Sequence, residues 1–148
     1  SMALEFAAEA YEQSSLQKQE EKQDQLLYKE DGRLILNTQT LVQKITEAKL
    51  QGTDSGRLAY LFHQTLAEQI TAACMEARNV SGRQKAALSG GVFQNRLLLR
   101  LTEERLMEEG FEVLRHRMVP PNDGGIAIGQ AAYGMWKLFR AMHMPVNM

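Results

Sequence analysis

The chain has 148 residues and a mass of 16.7 kDa, which indicates one domain. Its 17 Lys and Arg against 18 Asp and Glu leave a net charge of −1, a balance that argues against binding to the backbone of nucleic acid. A single cysteine excludes an intrachain disulfide and a Cys-rich zinc module, and no apolar run is long enough to span a membrane. These features predict a cytoplasmic protein.

The N-terminal part is predicted to be helical and then polar. Ser1-Met2 resembles the scar of a removed tag, so we expect the chain to be an excised lobe of a larger protein. Residues 3–12 predict a helix. Residues 13–25 predict a polar linker or solvated helix end, because they have few large apolar side chains to offset the entropy of ordering. An Asp-Gly dipeptide between the apolar runs of 26–36 predicts a hairpin.

Two further helices are predicted, over about 39–50 and 56–79, from apolar residues that recur every three or four positions. Their caps are expected at Asn37 or Thr38 and at Asp54 or Ser55, respectively. The apolar face of the first is predicted to contain Leu41, Val42, Ile45 and Leu50. Cys74 falls within the apolar stripe of the second, which favours a buried thiol over a nucleophile.

The second half alternates between strands and helices. Short apolar runs predict strands at 85–89 and 111–114, and a helix over 94–109 that Gly110 ends separates them. A last helix is predicted over 124–142. The residues expected on its buried face are Ile126, Gly129, Tyr133, Trp136 and Phe139. This order of elements predicts an α/β fold with parallel strand pairing.

The first candidate site is the segment ALSGGVFQN, in which a strand leads through Ser89, Gly90 and Gly91 into a helix. Glycines let a backbone approach a ligand closely, and free N–H groups at the start of the next helix would bind an anion. Asn95 can both donate and accept hydrogen bonds to a sugar or base. A plain glycine-rich turn is an equally good interpretation of these residues, and the lysine of a Walker loop is absent.

The second candidate is the segment VPPNDGGIAIGQA, in which Asp123 precedes the last helix. Capping of that helix is the favoured interpretation of Asp123, and ligation of a cation is the alternative. The three histidines, His63, His116 and His143, match no metal-binding spacing. We expect His63 to be packed or on the surface, and His116 to be solvated or to hydrogen-bond within a loop.

Taken together, the two segments resemble one protein family. ALSGGVFQNRLLL over 87–99, followed by GFEVLRHRMVPPNDGGIAIGQAA over 110–132, is similar to the C-terminal end of HypF-type hydrogenase maturation carbamoyltransferases. More distantly, the segments resemble the enzymes that make threonylcarbamoyladenosine in tRNA. The resemblance implies the second lobe of an actin-like ATPase fold, helix-rich and with a short mixed sheet, which would occupy all of 1–148.

The resemblance also implies a reaction and its participants. In the family, ATP and carbamoyl phosphate give carbamoyl-adenylate, and the carbamoyl group passes to the C-terminal cysteine of a HypE-type maturation protein. Ser89, Gly90, Gly91 and Asn95 would lie against the nucleotide. Asp123 matches the aspartate that binds a divalent metal, zinc or iron, together with an HxxxH motif in the other lobe. The catalytic residues stay unassigned.

That HxxxH motif is absent from this sequence, so we expect the chain alone to be inactive. A non-catalytic nucleotide-binding or partner-docking module and a tRNA threonylcarbamoyl transferase paralogue are the alternatives. Neither a membrane nor a nucleic acid is expected as a partner. Self-association of the chain is expected, through an unpaired strand edge or the bared face between the lobes.

Overall fold

A computed structural model describes residues 2–14, 27–120 and 122–143. The helices are α1 Met2–Ser14, α2 Thr38–Leu50, α3 Ser55–Ser81, α4 Arg96–Glu108 and α5 Ile126–His143. The strands are β1 Leu27–Glu30, β2 Arg33–Leu36, β3 Lys85–Leu88 and β4 Glu112–Arg115. Short 3₁₀ turns over Gly91–Gln94 and Asp123–Gly125 precede α4 and α5. None of the helices within these ranges is long and apolar enough to cross a membrane.

The larger part of the core lies among α1, α3 and α4. Its buried residues are Ala8, Ala59, Tyr60, Ala67, Leu97, Leu98 and Leu101. Gly56 lets α1 approach the first turn of α3 closely, because a Cβ atom there would lie 3.0 Å from the carbonyl oxygen of Ala7 and 3.1 Å from the Cβ of Tyr11. The small side chains along this contact therefore allow α1 to pack tightly against α3.

The predicted parallel pairing is confirmed, because β3 and β4 pair in parallel with Ala86 opposite Val113. A second buried cluster packs beside this pair and contains Ala86, Leu88, Leu106 and Phe111. The predicted hairpin is also confirmed, with β1 antiparallel to β2. The expected single mixed sheet is wrong for the described residues. These residues form two separate two-stranded sheets. Strands β1 and β2 pair as a local hairpin, whereas β3 and β4 are connected through helix α4.

Helix boundaries agree with the predicted caps. The side chain of Asn37 accepts from the N–H of Thr40 at 3.3 Å, and that of Asp54 accepts from the N–H of Arg57 at 3.0 Å. Gly110, with φ of +80°, follows the end of α4. The polar segment 13–25 is only partly described: its first two residues form the last turn of α1, and 15–26 lie outside the described residues.

The predicted burial of the Cys74 thiol is confirmed only in part. The side chain is partly buried against the second cluster, and this burial raises the pKa of the thiol. A raised pKa keeps the sulfur protonated, whereas the thiolate is the nucleophile.

Two predicted apolar faces are not buried as expected. In α2, Leu41 is buried, but Val42 is 57% exposed and Leu50 is 84% exposed, because α2 contacts α3 along a narrow strip. In α5, the side chains of the predicted face are exposed: Ile126 54%, Tyr133 57%, Trp136 50% and Phe139 61%. The periodicity shows which side of a helix is apolar, but half or more of each of these four side chains of α5 remains exposed.

We expect the exposed side of α5 to make the isolated chain self-associate, because large exposed apolar patches associate in water. Lys in place of both Trp136 and Phe139 should reduce the apparent mass to that of a monomer. Light scattering over a range of concentrations measures this. Val80→Lys is the matched control, since Val80 is an apolar residue on α3 that is 89% exposed. A wild-type chain that stays monomeric at high concentration would contradict the prediction.

Candidate functional site

The turn after β3 has the backbone geometry of a close-approach site. Gly90 has φ of +101° and ψ of 163°, a region that only glycine adopts without strain. A Cβ atom placed on Gly91 would meet nothing within 4 Å, so this residue faces open space. The N–H groups of Gly91 and Val92 open the 3₁₀ turn, where no earlier carbonyl of the turn can accept from them. The glycine pair therefore presents backbone donors on an accessible surface.

The ends of the two parallel strands are joined by a side-chain contact. The Oγ of Ser89 lies 2.8 Å from the Nε2 of His116, and each residue directly follows its strand. Of the two expectations for His116, the hydrogen bond within a loop is the one observed, although its partner was not predicted. The strand register could have revealed the partner, because Leu88 pairs with Arg115 and the next residues of both strands are then neighbours.

The start of α4 is already capped, contrary to the expectation of free N–H groups there. The Oδ1 of Asn95 accepts from the N–H of Leu98 at 2.8 Å. The carboxylate of Glu5, on α1, accepts from the N–H of Arg96 at 2.6 Å and from that of Leu97 at 3.4 Å. A protein carboxylate thus occupies the position at which an anion would bind. The available donors are those of the preceding glycine turn.

His63 is a packed residue, as expected, but it also contacts the candidate site. It is 2% exposed and lies on α3. Its Nδ1 is 2.7 Å from the carbonyl oxygen of Ala59, and its Nε2 is 2.8 Å from the Nδ2 of Asn95. Helical periodicity carries no signal for this contact, which joins residues 32 positions apart.

A cleft of about 790 Å³ opens beside the glycine turn. Phe6 of α1 and Phe62 and Leu66 of α3 form apolar walls, and Gly91 and Asn95 line it from the turn. The volume lies in the range of roughly 300–1,000 Å³ that is usual for small-molecule sites. The structure therefore places two of the four predicted nucleotide-binding residues in one cavity, with Ser89 and Gly90 immediately before them in the chain.

Two arginines of α4, Arg100 and Arg105, form ion pairs within the fold. Arg100 pairs with Glu12 of α1 and with Glu104, and Arg105 pairs with Glu68 of α3 at 2.5 Å. Burial and then the neighbouring Glu12 raise the pKa of Tyr60, which keeps that phenol neutral. These ion pairs join α4 to the other two core helices, α1 and α3.

Asp123 does not cap the last helical segment, contrary to the favoured interpretation. Asn122 does so instead, because its Oδ1 accepts from the N–H of Gly124 at 3.0 Å. Asp123 is exposed at the start of the 3₁₀ turn. No cluster of three or more His, Cys, Asp or Glu side chains occurs within 2–14, 27–120 and 122–143. The described residues therefore do not form a metal site by themselves, since a single carboxylate is one ligand.

Removal of the Glu5 carboxylate should destabilise the chain by about 1 kcal/mol, because the first N–H groups of α4 lose their acceptor. Glu5→Ala is expected to lower the free energy of unfolding by that amount in urea titration. Glu9→Ala, one turn later on the same helix, is the matched control and should have a smaller effect. A Glu5→Ala chain as stable as the wild type would contradict the observed capping.

The fold and the candidate site define the class of protein as a helix-rich α/β subdomain with a glycine turn at the end of a parallel strand. Residues 1–130 match the family model described as carbamoyltransferase, Kae1-like domain, second subdomain, and the chain belongs to this family. It is 40% identical over 86 residues to carbamoyltransferase HypF2 of Cupriavidus necator, which covers 58% of this chain and 11% of that protein. It is 35% identical over 104 residues to carbamoyltransferase HypF of Synechocystis, covering 70% and 13%.

Solved structures give the same result. A full-length HypF in a phosphate- and nucleotide-bound form is similar with a TM-score of 0.74 and 34% identity, over 90% of this chain and 16% of that chain. HypF of T. kodakarensis has a TM-score of 0.67 and 26% identity, over 93% and 16%. The predicted resemblance to HypF-type carbamoyltransferases is confirmed. The chain spans about a tenth of the length of the curated relatives.

Proposed function

We propose that this chain forms one wall of the nucleotide site of a HypF-type carbamoyltransferase, as the second lobe of an actin-like ATPase fold. The observation that carries the proposal is the glycine turn at Gly90 and Gly91, which opens beside a cleft of ligand-sized volume. The similarity to a HypF structure described as nucleotide-bound supports it. Open α/β sheets bind ligands at the carboxyl ends of their strands, which is where this turn lies.

In the proposed site, backbone N–H groups make most of the contacts with the nucleotide. The N–H groups of Gly91 and Val92 donate to phosphate oxygens, and the absence of a side chain at Gly91 lets the phosphates approach. The Oγ of Ser89 is held at the same strand end by His116. Asn95 donates from Nδ2, because its Oδ1 is already bonded to the N–H of Leu98.

The proposed reaction takes place in the whole enzyme. There, water cleaves carbamoyl phosphate into carbamate and inorganic phosphate. A carbamate oxygen then bonds to the α-phosphorus of ATP, which gives carbamoyl-adenylate and releases pyrophosphate. The thiolate of the C-terminal cysteine of a HypE-type protein then bonds to the carbamoyl carbon, and AMP leaves. This transfer belongs to hydrogenase maturation in the cytoplasm. The role of the present chain is to hold and orient the nucleotide, and no residue of it is assigned to the bond-making step.

Asp123 is proposed to give one ligand to a divalent metal, zinc or iron, that the other lobe also binds. A carboxylate oxygen suits a hard or borderline cation. Its exposed position leaves it accessible to ligands from another domain. Because the described residues supply no further ligands beside it, the metal has no assigned step in the role of this chain.

Titration of the ¹⁵N-labelled chain with ATP tests the proposal. We expect weak binding, with a Kd of roughly 1 mM, because this chain forms only one wall of the cleft. The amide signals of Gly90, Gly91 and Val92 and the side-chain amide of Asn95 should shift. Wild-type spectra that stay unchanged at an ATP concentration several times this Kd would contradict the proposal.

Asn95→Asp gives a sharper version of this test. Asp is as good a helix cap as Asn, so α4 should remain intact, but the variant loses the Nδ2 donor and brings a negative charge to the phosphates. We expect at least about tenfold weaker ATP binding, or ~1.4 kcal/mol. Asn79→Asp, near the exposed end of α3, makes the same chemical change away from the cleft and should bind ATP as the wild type does.

A further inference from the structure

The hydrogen bonds of His63 fix which ring nitrogen bears the proton. The carbonyl oxygen of Ala59 can only accept, so Nδ1, 2.7 Å away, must donate to it. In the neutral ring Nε2 is then an acceptor, and the atom of Asn95 facing it at 2.8 Å must be the donor Nδ2. The ring is 2% exposed, so water does not compete for these bonds.

The same arrangement determines the orientation of the Asn95 amide. Its Oδ1 is held by the N–H of Leu98 at 2.8 Å, and its Nδ2 is held by His63. Because Oδ1 and Nδ2 each have a hydrogen-bond partner, the amide cannot rotate by 180° to exchange the two atoms without losing both bonds. One Nδ2 hydrogen goes to His63, and the second has no acceptor among the described residues. Both side chains line the cleft.

We propose that His63 is a positioning residue that makes Asn95 present an N–H donor to the cleft. The ligand atom at this point must then be a hydrogen-bond acceptor, such as an oxygen of a phosphate or a ribose. The statement about the ligand rests on the proposed nucleotide site. The tautomer of His63 and the orientation of Asn95 do not depend on any nucleotide, so they can be tested separately.

The first test is ¹⁵N NMR of the full chain without ligand. We expect the His63 ring to show a protonated Nδ1 and an unprotonated Nε2. A scalar coupling across the hydrogen bond should join the Nδ2 of Asn95 to the Nε2 of His63, because the hydrogen on Nδ2 is donated to that ring nitrogen. A ring protonated on Nε2 alone, or on both nitrogens, would overturn the proposal whether or not the chain binds ATP.

The second test compares two substitutions of similar length, His63→Gln and His63→Met. Gln restores an acceptor for Asn95 and should bind ATP within about twofold of the wild type. Met fills the space without an acceptor and should bind about five- to tenfold more weakly, the range of one hydrogen bond. Equal ATP affinity in the two variants would overturn the positioning role. If the Met variant does not fold, the tautomer of His63 measured in the first test decides whether His63 can accept a hydrogen bond from Asn95. A wild type that binds no ATP overturns the proposed nucleotide site, not the tautomer.

Discussion

Replacing Gly91 with valine is expected to weaken ATP binding on the order of a hundredfold, or ~2.7 kcal/mol, in a full-length carbamoyltransferase that contains this subdomain. The added side chain would extend into the open space where the proposed phosphates lie. A Cβ atom at this position meets nothing within 4 Å in the chain itself, so the free energy of unfolding should change little. Isothermal titration calorimetry measures the first quantity and urea titration the second.

The matched control for this variant is Gly134→Val. Gly134 lies on α5, and a Cβ atom there also meets nothing within 4 Å. It is not among the residues that line the cleft. We expect this variant to bind ATP as the wild type does. A Gly91→Val enzyme with normal ATP affinity would contradict the assignment of the turn to the nucleotide.

The second large effect is expected from Leu106→Ala, which should lower the free energy of unfolding by roughly 2–5 kcal/mol. Leu106 is 0% exposed and belongs to the cluster that packs beside β3 and β4. Its truncation leaves a cavity next to Leu88, the strand residue directly before the candidate site. Urea titration followed by circular dichroism measures the change.

Leu114→Ala is the matched control for the Leu106→Ala variant. Leu114 lies in β4 and is 47% exposed, so its truncation removes little buried surface. We expect a loss of stability below about 1 kcal/mol. Similar losses in the two variants would mean that Leu106 does not pack as the structure shows.

Much of the local structure followed from short patterns in the sequence. The Asp-Gly hairpin, the caps at Asn37 and Asp54 and the helix end at Gly110 each depend on residues within about one turn of one another. The glycine turn at the end of β3 was recognisable for the same reason. Such features are set by backbone conformation and nearby hydrogen bonds, so they can be predicted without knowledge of the fold.

The contacts that complete the candidate site were not predictable in this way. Glu5 caps a helix that begins 91 residues later, and His63 bonds to Asn95 across 32 residues. Before the packing of α1, α3 and α4 is known, nothing distinguishes Glu5 from other acidic residues of α1. The expectation of free N–H groups at α4 was therefore wrong.

The sequence by itself determined where the helices, strands and glycine turn lie, together with the family resemblance of the two motifs. Only the tertiary structure decided which apolar side chains are buried and which polar groups are hydrogen-bonded within the chain. Trp136 and Phe139 have the spacing of a buried face but remain exposed, whereas the polar His63 is almost completely buried. The physical reason is that periodicity is a property of one helix. Burial and hydrogen bonding depend on a second element that chain folding brings to it.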